Sequence, residues 1–259
     1  MPVIHQWRTR ATARFARDAQ AWGLAPRQAL LLALLPCVLA LVAAATAPIR
    51  PLYRWLVAED SLIEWLQFLC LLGASIFLTR LTLRLHRTGH QRLALLYGLV
   101  TLAAWFLTGE EVSWGQRIFG WETPETLEEI NRQGETTLHN IQGVQQLVPY
   151  AMLLAGLYGA CVPLVWAAVG ARWEHVASRH LLVPPLCLVP AFLLAAGYRL
   201  FRLLVWPTAD FVISEYAEVM ELCLYLGLLL FSWLNLRRLW QVRPELGISD
   251  APHSVPRGP

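Results

Sequence analysis

The chain has 259 residues, of which 56% are apolar and only 15% charged, with a mean hydropathy of +0.45 and a net charge of +3. A soluble domain normally carries about 25% charged residues, so a soluble globular enzyme is excluded and no nucleic-acid partner is expected. Every basic residue counted is Arg, and the five cysteines (Cys37, Cys70, Cys161, Cys187, Cys223) form no CxxC pair and sit in apolar runs, which makes them packing residues.

Residues 1–28 form a basic amphipathic segment. Trp7, Ala11, Phe15 and Trp22 recur at helical spacing opposite Arg8, Arg10, Arg14 and Arg17. The pattern suits a helix on anionic inner-leaflet lipid, or simply an orientation signal. The apolar run that follows, Leu30–Ala47, ends in Ala45-Thr46-Ala47 like a signal peptide. It is longer than the usual ~7–15-residue apolar region, so it reads as a retained anchor.

From there to residue 240 the apolar residues come in six blocks, near 29–47, 61–79, 92–109, 147–170, 180–201 and 215–236. Blocks of about twenty residues match a hydrocarbon core of about 30 Å. The fold expected is all-α: a polytopic membrane bundle of six transmembrane helices, followed by a disordered tail at 241–259. Arg residues crowd the first segment, the connections after spans two and four, and the end of span six. The acids crowd the alternate loops. The positive-inside rule then places both termini in the cytoplasm, as expected of a chain in an inner (cytoplasmic) membrane.

Polar residues concentrate at the outer ends of the spans. Glu64 and Gln67 share a face at the start of span two with Asp60. Span three ends in Gly109-Glu110-Glu111. Glu215, Glu218 and Glu221 are spaced by three at the start of span six and descend about 9 Å at 1.5 Å per residue, with Tyr225 one turn deeper. The inner halves of the spans look apolar, and no inverted repeat is visible. The 37-residue connection from Glu110 to Gln146 is long for an unstructured loop. Thr123-Pro124-Glu125 reads as a helix start, predicting a surface-lying helix between spans three and four. Continued, that helix would align Asn131, Glu135, His139, Gln142 and Gln146 in one stripe.

Ionisable groups at this depth are expensive unless paired, hydrated or bound, which makes them candidates for a site. Glu135 and His139, at i, i+4, reach a common point on one helix. With Glu111 and Glu218 they make a candidate metal set, oxygen-rich and suited to Mg, Mn or Fe. Glu111, Glu218 and His139 are the candidate catalytic groups, and Trp114, Gln116, Arg117 and Asn140 the candidate substrate contacts. Glu64, Glu110, Glu215 and Glu221 are candidate supports. The leading expectation is a metal-dependent enzyme acting on a lipid or lipid-linked substrate at the outer leaflet, polarising an oxygen with a Glu as general base. The alternatives are an accessory protein binding lipid or a protein partner at the outer face, and a proton-coupled transporter. An Arg–Glu network that only fixes helix packing, using Arg117, Arg199 and Arg202, competes with all three.

The stretches GEEVSWGQRIFGWETP and NRQGETTLHN resemble the GEExSWGQRxFG and QxExxLHN signature of small, uncharacterised bacterial multi-pass membrane proteins. The resemblance implies a site and brings no activity with it. Ceramidase-like membrane hydrolases are set aside, because their zinc site uses several histidines and the outer loops here offer one.

Overall fold

The computed structural model describes residues 2–58, 61–129, 131, 136–138, 141, 143–169, 179–208 and 210–241. Among these the chain is all-helical, with six helical segments long and apolar enough to cross a membrane. Large apolar side chains such as Leu31, Leu41, Leu95, Leu102, Leu154 and Leu204 face outward, as expected of a surface that meets lipid.

The basic segment folds as α1 (Pro2–Ala21). Its Phe15 and Ala19, with Trp22 just past its end, join the main apolar core with Leu71, Phe192 and Leu224, so the last turns of α1 pack on the bundle. The first span, α2 (Pro26–Thr46), begins with Pro at a position that needs no N–H donor, and the Gln28 side chain accepts the Ala25 N–H at 2.9 Å. A short helix unforeseen in the sequence, α3 (Arg50–Val57), follows. Its Tyr53 is 1% exposed and donates to the Val212 carbonyl at 2.7 Å. Ser61 caps α4 (Leu62–Arg87), accepting from the Glu64 N–H. Gly89, at φ +80, makes the turn into α5 (Gln91–Glu111).

The long connection holds two single-turn helices, α6 (Gln116–Phe119) and α7 (Glu125–Glu128). The helix start at Thr123-Pro124-Glu125 is real but lasts one turn. Asn131 and Ile141 pair as an antiparallel bridge, so the chain doubles back between them and the continuous stripe expected from Asn131 to Gln146 does not form. Gln142 of that stripe lies outside the described residues.

The fourth span is α8 (Val148–Val169). The fifth segment is broken where one span was expected. α9 (Arg179–Leu182) stops at Pro184-Pro185, which cannot continue a helix, and a 3-10 turn at Leu186–Leu188 leads into α10 (Val189–Leu204). The sixth span, α11 (Phe211–Gln241), is the central helix: 67% of its most apolar window is buried, against 22% in α2.

Small residues set the spacing, as in membrane bundles generally. Gly156 of α8 lies against Ala196 and the Phe192 carbonyl of α10. The Phe192 ring fills a notch between Gly159 of α8 and Gly227 of α11; a Cβ at Gly227 would sit 2.9 Å from that ring. Along the α4–α5 seam, Ser75 meets Thr108 at 3.1 Å and Thr82 meets Thr101 at 3.0 Å. Thr101 and Thr108 also donate back to the carbonyls of Tyr97 and Ala104. This hydroxyl ladder runs through a region that looks apolar in the sequence.

The bundle therefore has two unlike ends. One gathers the start of α4, the end of α5, the long connection and the start of α11. The other gathers α1, the end of α11 and α9. There Arg237 and Arg238 donate to the carbonyls of Gly23 and Ala21.

Candidate functional site

The carboxylates converge at the first of these ends. Glu64 projects from the first turn of α4, Glu111 from the last residue of α5, and Glu218 and Glu221 from the second and third turns of α11. Their approach depends on a tight turn. Ser113 and Trp114 adopt φ of +47° and +54°, and Gly115 follows at +96°. Two successive non-glycine residues in this region cost of order 1–3 kcal/mol each, so the surroundings must hold them there.

Glu110 does much of that holding. It is 3% exposed; one carboxylate oxygen accepts the Trp114 indole N–H at 2.5 Å and the other accepts the Leu138 N–H at 2.8 Å. Trp114 lies over Gly109, where a Cβ would meet its ring at 2.9 Å, and packs edge-on against Phe106. Gln116 stitches the loop from the other side, donating to Thr123 and accepting the Thr136 N–H, both at 2.8 Å. Asn131 donates to the Thr137 carbonyl at 2.7 Å. Glu110 and Gln116 thus hold the turn, and the amide of Gln116 is engaged at both ends by the loop.

The turn delivers Arg117 to Glu64. The guanidinium and carboxylate meet at 2.6 Å across 53 positions of sequence, both side chains less than one-fifth exposed. A second ion pair joins Arg199 of α10 to Glu221 of α11, and Arg199 also contacts the Met152 sulfur at 3.0 Å. Arg202, the third arginine expected in such a network, goes elsewhere: it donates to the carbonyls of Trp206 and Pro207 and to the Tyr198 hydroxyl. Glu215 lies near Tyr53 of α3.

Glu111 and Glu218 are held by neutral groups. The Glu111 carboxylate shares a hydrogen bond with the Tyr225 hydroxyl. Gln67 donates at 3.1 Å to the Glu218 carboxylate and at 2.7 Å to the Glu218 backbone carbonyl. Glu64, Glu111, Glu218 and Glu221 lie within electrostatic range of one another. Among the described residues, four carboxylates thus face two guanidiniums, which pair with Glu64 and Glu221. A carboxylate charge in a low-dielectric bundle calls for a proton or a nearby positive charge to balance it. A small recess lined by Glu64, Trp65, Phe68, Glu111, Val112 and Arg117 leads toward the cluster.

Three candidate residues, Glu135, His139 and Asn140, lie outside the described residues. Among the described residues no three His, Cys, Asp or Glu side chains are arranged to hold a metal ion. Trp114 is 45% exposed at the rim, where a substrate contact was expected, though its indole N–H is committed to Glu110. Gln67 and Tyr225 are the residues the sequence reading left unassigned. Their signal was positional: each lies one turn from a site carboxylate on the same helix face. Compared with known proteins, no family model, curated protein or solved structure matches the chain.

Proposed function

We propose that this is an inner-membrane enzyme, with both termini cytoplasmic, whose Glu/Arg/Tyr cluster carries out acid–base chemistry on a lipid or lipid-linked substrate at the outer leaflet. The carrying observation is the pair Glu111 and Glu218, two half-buried carboxylates beside those paired with Arg117 and Arg199. Two neighbouring carboxyl groups that share protons can donate one and accept another in a single reaction. Tyr225 orients Glu111 and Gln67 orients Glu218. Trp65, Phe68 and Val112 give the small recess beside the cluster an apolar rim, and the exposed Trp65 ring places that rim on the lipid-facing surface. A metal-assisted version would draw on Glu135 and His139 of the loop. The acid–base version needs only the described residues and is the better supported.

The test is lipid mass spectrometry on proteoliposomes made from bacterial lipid extract. The wild type should convert at least one lipid species, and Glu111→Gln and Glu218→Gln should each slow that conversion by about 10²–10⁴-fold, the range for general acid–base groups. Unchanged lipid profiles with the wild type would sink the enzymatic reading. Topology is tested separately: a Thr123→Cys variant should label with an impermeant thiol reagent from outside the cell.

The two ion pairs favour a second reading, in which the cluster is a lock between helices. It requires that Glu111→Gln and Glu218→Gln change thermal stability and leave every lipid untouched.

A further inference from the structure

A cavity of about 290 Å³ lies at the opposite end of the bundle from the carboxylates. It is close to the lower bound of the ~300–1,000 Å³ typical of small-molecule sites. Its existence follows from the way α1 docks. Phe15, Ala19 and Trp22 turn into the core, and this leaves Arg14 and Arg17 on the adjacent face, lining the cavity. Arg179 and His180 of α9 line it from the other side, and Pro163 and Trp166 of α8 supply an apolar wall.

Among the described residues that line the cavity, Arg14, Arg17 and Arg179 present three guanidiniums, against one carboxylate, Asp18. Asp18 is already engaged: it accepts the Leu186 N–H at 2.7 Å and so ties α1 to the turn before α10. His180 adds a ring nitrogen that meets the Arg179 Nε at 3.3 Å, and its ring stands edge-on to Trp22 at 5.3 Å. The result is a recess with a cationic mouth and an aromatic, apolar interior, between an amphipathic helix and the bundle.

We infer that this cavity binds a phosphate anion, with the phosphodiester headgroup of an anionic phospholipid as its source in the membrane. Guanidiniums match phosphate oxygens in planar, two-pronged hydrogen bonds, and three of them at one mouth select an anion over a zwitterion. Anionic headgroups are also the ligands that a basic amphipathic helix meets at a membrane surface. A free phosphate shares the chemistry and lacks the acyl chains that Trp166 and Pro163 would cover. The inference is independent of the carboxylate cluster.

Native mass spectrometry of the full chain released from detergent tests it, after incubation with phosphatidylglycerol, phosphatidylcholine or inorganic phosphate. The wild type should retain one phosphatidylglycerol at least tenfold more than phosphatidylcholine. R14Q/R17Q/R179Q should lose that preference, and Glu218→Gln should keep it. If the triple variant cannot be isolated, R14Q/R17Q decides, since both positions are exposed and carry no packing. Retention of inorganic phosphate that depends on the same arginines, without phosphatidylglycerol, would keep the phosphate site and overturn its lipid source. Equal retention of both lipids, or wild-type retention by R14Q/R17Q, overturns the inference.

Discussion

The two ends of the bundle solve opposite charge problems by different means. At the carboxylate end the countercharges arrive as side chains from distant segments: Arg117 from the long connection and Arg199 from α10. At the arginine end they arrive as backbone, with Arg237 and Arg238 donating to the carbonyls that close α1. Helix C-termini are a ready source of acceptors for cations, so Arg237 and Arg238 need no matched acids. The carboxylate end has no equivalent supply. Its balance depends on individual residues, and it should be the more fragile of the two.

The largest expected effect follows directly. Arg199→Ala removes the guanidinium paired with Glu221 and should lower stability by up to about 3–5 kcal/mol, the range for removing one partner of a buried pair. Thermal unfolding in detergent reads this, and the double variant Arg199→Ala/Glu221→Ala should recover much of the loss. If the single variant is harmless, the contrast between the ends collapses. Next comes Glu110→Gln, which keeps the shape but can no longer accept from both Trp114 and Leu138. A loss of about 1.5–3 kcal/mol is expected, the range for hydrogen bonds to a charged group, with faster proteolysis of the long connection as the local readout. Thr108→Val, which removes one rung of the hydroxyl ladder, should cost only about 0.6 kcal/mol, as interhelical hydrogen bonds in membranes do. Arg14→Gln at the opposite end should change stability by less than about 0.5 kcal/mol, being exposed and away from the packed core.

Asp18 sharpens the comparison through pH. Burial raises its pKa above the ordinary 3.8, a shift only partly offset by the Leu186 N–H and Arg179. Its protonated form is therefore favoured by folding. That contribution is fully present below the ordinary value and is lost as pH rises through the raised one. Asp18→Asn should keep α1 docked and flatten this dependence, measured as the pH profile of thermal unfolding.

The spans were legible because length and apolarity alone decide them. The partners of α4 and α11 were legible because helical spacing fixes which residues share a face: Glu64 with Gln67, Glu218 with Glu221, Tyr225 below. Helix interruptions were harder to place. Pro184-Pro185 sits within an apolar run whose hydropathy hides the break, and α3 lies between two spans without a pattern of its own. Side-chain roles at chain turns were hidden for another reason. Glu110 and Glu111 are adjacent and chemically identical, yet one braces the loop and the other enters the cluster. Helical spacing already rotates Glu110 off the face of Glu111, but the loop that Glu110 meets is placed by the positive φ values of Ser113 and Trp114, which no spacing rule encodes. Of the apolar face expected on the first helix, Phe15 and Trp22 pack on the bundle and Ala11 is exposed, and sequence alone cannot say whether such a face meets lipid or protein.

Phe192 in its glycine notch has a reach beyond packing. It sits two turns from Arg199 on α10, and Gly227 sits less than two turns from Glu221 on α11. The notch acts as the pivot of a lever whose far ends are the guanidinium and its carboxylate. A methyl group at Gly159 would push the Phe192 ring and, through it, swing α10 away from α11. Arg199 would then miss Glu221 without either residue having changed. A genetic screen for loss of the charged cluster should therefore recover Gly159→Ala alongside the acids, a lesion that touches no charge at all.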